Sequence, residues 1–163
     1  MSDNKRFDLT ARAQMRPLHD PEVANAALEA FLDEEDLVNG GLAFLFCDRE
    51  GHLMQPILVS DVPDPAGPEE RWAAMRWAIA LCEMVGDEHA GPLALVLAIV
   101  REAGPVCDAD REWHQVAIDA CAEAEVPLIG VHVATLAEAV ALPTAAPRPA
   151  GDFAPPGSAE SAA

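Results

Sequence analysis

Leu93-Ala94-Leu95-Val96-Leu97-Ala98-Ile99-Val100 runs straight into Arg101-Glu102-Ala103-Gly104-Pro105-Val106-Cys107-Asp108-Ala109-Asp110. The run 93–100 is apolar on both faces, bounded by Gly91-Pro92 before it and by charge after it. Such a run is a strand covered on both sides. It is too short to cross a bilayer, which takes about 20 residues. Gly104-Pro105 breaks the chain, and a helix starts near Cys107-Asp108. Its face is Trp113, Val116, Ala117, Ala120, Cys121 and Ala124, spaced i, i+3, i+4, i+7, i+8, i+11. That is a helical period. Val126-Pro127 ends it, and Leu128 to Val133 is a further apolar strand.

Upstream, Leu42 to Cys47 is another run apolar on both faces. Asp48-Arg49-Glu50-Gly51 turns the chain into a second strand, His52 to about Val59, where Pro56 points to an edge or a bulge. Pro68-Glu69-Glu70 opens a helix to about Val85, with Trp72, Met75, Ile79 and Cys82 on one stripe and Trp77 beside it. An earlier helix runs from Pro21 to Asp33 behind the capping Asp20. The acidic run 33–36 reads as a solvated exit, and Asn39-Gly40-Gly41 as a break. Thr135-Leu136-Ala137-Glu138 has the form of a capping box, which predicts a short last helix. The expected order is α-β-β-α-β-α-β and a short α. It implies an α/β domain with three α-β-α layers and a mixed sheet of about four strands. The expected domain is 20–142, with a flexible segment 1–19 and a disordered Pro/Ala-rich tail 143–163.

Charge narrows the partners. The 28 acidic and 10 basic residues give a net charge of −18, which repels phosphate backbones and anionic lipid. Neither nucleic acid nor a membrane is an expected partner; a protein partner or a homodimer is. The N-terminus carries no apolar leader, and the four cysteines form no C-x-x-C pair. Both features suit a cytoplasmic protein with free thiols. The glycines match neither G-x-G-x-x-G nor a P-loop, so no cofactor is expected.

The element order resembles the core of the cytidine deaminase-like fold, which is also the fold of JAB/RadC-type domains. Residues 44–53, Phe-Leu-Phe-Cys-Asp-Arg-Glu-Gly-His-Leu, look like the RadC hairpin. Residues 94–110 sit where that family carries H-x-H-P-S-G and then S-x-x-D, and Glu125-Val126-Pro127-Leu128-Ile129 resembles the strand after its next helix. The likeness covers about residues 42–134 and implies a zinc site of two His and one Asp, with a Glu polarising the metal-bound water. Anchored on Gly104, the two His positions fall on Ile99 and Arg101, the Ser position on Cys107 and the Asp position on Asp110. Isoleucine cannot ligate, and a guanidinium repels a dication. The resemblance therefore implies a domain that has lost its catalytic metal, acting through protein–protein interaction or self-association.

Two other readings compete. Asp110 and His114 share a helix face at i, i+4, and with His132 or His89 they would make a relocated metal site for a hydrolase. Alternatively, Arg101 would hold a small anionic ligand at the strand ends. Cys107 is a candidate nucleophile at a helix start, although Asp108 and Asp110 favour its thiol form. Arg101, Trp72 and Trp77 are the candidate binding residues.

Overall fold

A computed structural model describes residues 16–86 and 91–143. In chain order the elements are α1 (Pro21–Phe31), α2 (Glu34–Asn39), β1 (Gly41–Cys47), β2 (Leu53–Val59), α3 (Pro68–Val85), β3 (Ala94–Val100), α4 (Asp108–Ala124), β4 (Leu128–Ala134) and β5 (Ala139–Ala141). They build one mixed sheet in the order β2-β1-β3-β4-β5. β1 is antiparallel to both β2 and β3, β3 is parallel to β4, and β5 returns antiparallel to β4.

Every residue of β3 is buried, because helices lie on both faces, and this is why the strand is apolar throughout. Alternation sorts its side chains. Leu95, Leu97 and Ile99 join Leu42, Phe44 and Phe46 of β1 beneath α3 and α4. Val96, Ala98 and Val100 join Ala43, Leu45 and Cys47 beneath α1. The stripe on α4 buries Trp113, Ala117, Ala120 and Cys121, and the helix stops at Glu125, whose φ of 60° is left-handed. Pro56 sits in the edge strand β2 but is itself buried opposite Leu45, so it is no part of an open surface.

Three expectations are corrected. The acidic run is not an exit. Asp33 caps α2, accepting from the Asp36 N–H at 2.9 Å while Asp36 accepts from the Asp33 N–H. These charges thus stand at a helix N-terminus, where the dipole favours them. The last helix is a strand instead. Thr135 Oγ1 accepts from the Ala137 and Glu138 N–H groups and closes a turn, and the chain then pairs with β4. Pro143 would cut a helix there to two turns, whereas a strand satisfies the otherwise open edge of β4. The sheet therefore has five strands rather than four. Packing also begins before residue 20: Leu18 is buried under α1, and its N–H reaches the Gly51 carbonyl at 2.9 Å. The segment 1–15 and the tail 144–163 lie outside the described residues.

Candidate functional site

Arg101 is the first residue past β3, and its N–H still bonds the Ala134 carbonyl at the end of β4 (3.0 Å). The chain then turns back through Gly104, whose φ of 114° is open mainly to glycine, and reaches Cys107, the N-cap of α4. This loop returns Asp110, in the first turn of α4, to the side chain it left at Arg101. Arg101 grips it with both arms: Nη1 donates to Oδ1 at 2.6 Å and Nη2 to Oδ2 at 2.8 Å. Nη2 also donates to the Pro105 carbonyl at 2.7 Å, and the Cys107 N–H donates to Asp110 Oδ2 at 2.8 Å.

Asp110 is almost wholly buried, and Arg101 retains a quarter of its side-chain exposure. Burial alone would raise the Asp110 pKa. The Arg101 guanidinium, together with the Cys107 N–H, outweighs that and holds the carboxyl below its usual range. The pair lines a cleft of about 390 Å³ together with Ile99, Cys107, Arg71 and Trp113. Arg71 enters from the first turn of α3. Its Nη1 donates to the Ala66 carbonyl at 2.6 Å and lies 3.3 Å from Glu112 Oε1, while its buried Nε has no hydrogen-bond partner. Nothing in the sequence singles out Arg71 or Glu112; an arginine early in an exposed-looking helix carries no motif, and only the turn of 61–67 brings it inward.

The positions drawn from the family likeness (99, 101, 110 and 107) all line this one cleft. The relocated metal set does not assemble. His132 belongs to β4, where its neighbours Val131 and Val133 face α4 and His132 faces α1. There its Nδ1 meets Asn25 Oδ1 at 2.7 Å, and burial pushes its pKa down to about 4. Asp110 lies on the opposite side of the sheet, committed to Arg101. His114 is half-buried on α4 beside Ile118 and Cys121. Among the described residues no three His, Cys, Asp or Glu side chains converge as metal ligands; His89 lies outside those residues.

For an anionic ligand at Arg101, both terminal nitrogens already serve protein acceptors. Cys107 is exposed at the mouth of the cleft. The carboxylate beside it, Asp110, is tied to Arg101, and Asp108 is exposed and paired with Arg111. The Cys107 thiol does hydrogen-bond Asp110, but Arg101 holds that carboxyl below its usual range, which makes it a poor general base. The two tryptophans differ. Trp72 is partly buried in the core, whereas Trp77 is 43% exposed and seats one side of its ring on Phe44, with centroids 5.6 Å apart.

Among the described residues no helix is long and apolar enough to cross a membrane. In comparison with known proteins, the chain matches no family model, no curated protein and no solved structure.

Proposed function

We propose that this chain is a non-catalytic JAB/RadC-like domain, with the three-layer cytidine deaminase-like arrangement, that works by binding protein rather than by turning over a substrate. One observation carries the reading. Where the family likeness places a zinc ligand, Arg101 stands, and its guanidinium is clamped on the carboxylate that would complete the site. A fixed organic cation thus neutralises Asp110. A dication entering there would have to displace it, strip a part-buried guanidinium of its carboxylate, and find imidazoles where Ile99 and Arg101 stand. The four cysteines are free, with Cys47, Cys82 and Cys121 buried, which suits a reducing compartment and supports placing the protein in the cytoplasm.

Metal content tests this directly. Protein purified without an affinity tag from zinc-supplemented cells is expected to hold under about a tenth of an equivalent of zinc. The double variant Ile99→His/Arg101→His, which puts two imidazoles beside a released Asp110, is expected to gain stoichiometric zinc. A full equivalent in the unaltered protein would overturn the reading, and no gain in the variant would remove the family likeness from it.

A further inference from the structure

Helix α3 is apolar on two opposite sides. Met75, Ala78, Ile79 and Cys82 are buried against the sheet. Away from the sheet Ala73, Ala80 and Met84 are exposed, Met84 at 72%, with Val85 beside them at 58%; Trp77, 43% exposed, stands at the edge of this face with its ring folded down against Phe44. The outer residues are spaced 4, 3 and 4 apart, the spacing that keeps one seam of a helix in register with a second helix. They also alternate small and large: Ala, Trp, Ala, Met.

That alternation complements itself. Laid antiparallel about a two-fold axis midway between Trp77 and Ala80, two copies set Trp77 of one against Ala80 of the other, and Met84 against Ala73. Each large side chain meets a small one, twice over. An isologous contact requires this, since residue i meets j and j meets i. Charge points the same way. In a chain of net charge −18, α3 carries no carboxylate between Glu70 and Glu83, and of the two arginines in that interval Arg71 turns inward to Glu112 while Arg76 is exposed. Arg76 and Glu83 lie on one flank of the seam, and the same axis leaves Arg76 of one copy two residues, about 3 Å along the helix, from Glu83 of the other. Two such acidic molecules repel over most of their surface, and this helix is where close approach is least opposed. Trp77, already held by Phe44, is a rigid anchor with one open side.

We propose that the outer face of α3, along Ala73, Trp77, Ala80 and Met84, is the self-association surface of this protein, and that its occupant is the same helix of a second copy. This deepens the protein-binding reading above and rests on it. One helix pair is a small interface, at the low end of specific contacts, so the dimer is weak and concentration-dependent.

Sedimentation equilibrium of the full chain from about 1 to several hundred micromolar tests it. The expected result is a reversible monomer–dimer equilibrium. Ala80→Glu and Ala80→Lys alter an exposed, helix-tolerant position. Each variant on its own is expected to weaken association at least tenfold while melting like the parent chain. A parent chain that stays monomeric throughout overturns the seam. So does a dimer that both variants leave intact. None of these outcomes touches the closed metal site, which is decided by zinc content.

Discussion

Among the described residues two polar side chains are buried, Asp110 and His132, one on each side of the sheet. They are kept there by opposite means. Asp110 stays charged, because a guanidinium and a backbone N–H supply three donors to its two oxygens. His132 stays neutral, with a single bond from Nδ1 to Asn25, and Gly130 leaves room beside its Nε2. A buried charge costs several kcal/mol unless it is paired, whereas a neutral imidazole needs only its hydrogen bonds. The two sides of the sheet therefore do different things. The α1 side uses a polar residue to fix a helix on a strand. The α4 side retains a carboxylate at a cleft, the more expensive choice, and that asymmetry is what marks the cleft.

Breaking the charged pair should have the largest effect. Asp110→Ala leaves the Cys107 N–H without its acceptor and the Arg101 guanidinium with the Pro105 carbonyl alone. Arg101 keeps some exposure, so the cost falls at the lower end for a broken buried pair, about 3 kcal/mol. Urea unfolding at pH 7 reads it out. Because the folded-state pKa of Asp110 is depressed, its contribution is complete above the unfolded carboxylate range and fades as pH falls through the folded value. A loss below about 0.5 kcal/mol in Asp110→Ala would make the pair a surface ornament and remove the contrast with His132.

The neutral partner is tested by acid. With its folded pKa near 4 against an ordinary 6.5, His132 takes up a proton in the unfolded chain before it does in the folded one. Stability is expected to fall as pH drops from about 6.5, by roughly 2.5 kcal/mol at pH 4.5. His132→Gln keeps a donor for Asn25 and should flatten that window while the acid loss from Asp110 below it persists. An unchanged slope in His132→Gln would assign the window to other groups.

How much of this is legible in the residues depends on range. The run 93–100 and the stripe on α4 announce themselves because both periods are local and both elements are buried where the pattern says. Asp33–Asp36 and Thr135–Glu138 mislead at the same kind of place. A four-residue capping pattern starts a helix or closes a turn depending on the fate of the residues after it, and that fate is settled by sheet pairing and by Pro143. His132 misleads for a different reason. Proximity in sequence to a strand end says nothing of which side its side chain takes, and a one-residue offset from Val131 and Val133 sends it to α1. Ile99, Arg101 and Asp110 come together as the family likeness implies, yet the bidentate pair itself needs the turn at Gly104.

The smallest effect concerns the thiols, which repeat the contrast between closed sides and open cleft. Cys47 lies on the α1 side, and Cys82 and Cys121 on the α4 side. Burial pushes Cys47 and Cys82 up to about 12 and Cys121 to about 11, so almost none of any of them is thiolate at pH 8. Cys107 is exposed at the cleft mouth. A disulfide-exchange reagent at pH 8 is expected to titrate one thiol fast and the other three only on the timescale of unfolding. Cys107→Ser should abolish the fast phase and move stability by less than about 0.5 kcal/mol, since its Oγ can cap α4 at least as well. A second fast thiol would mean that one side of the sheet opens locally without global unfolding. Which cysteine reacted would name the side: Cys47 would indict α1, and Cys82 or Cys121 the pair α3 and α4.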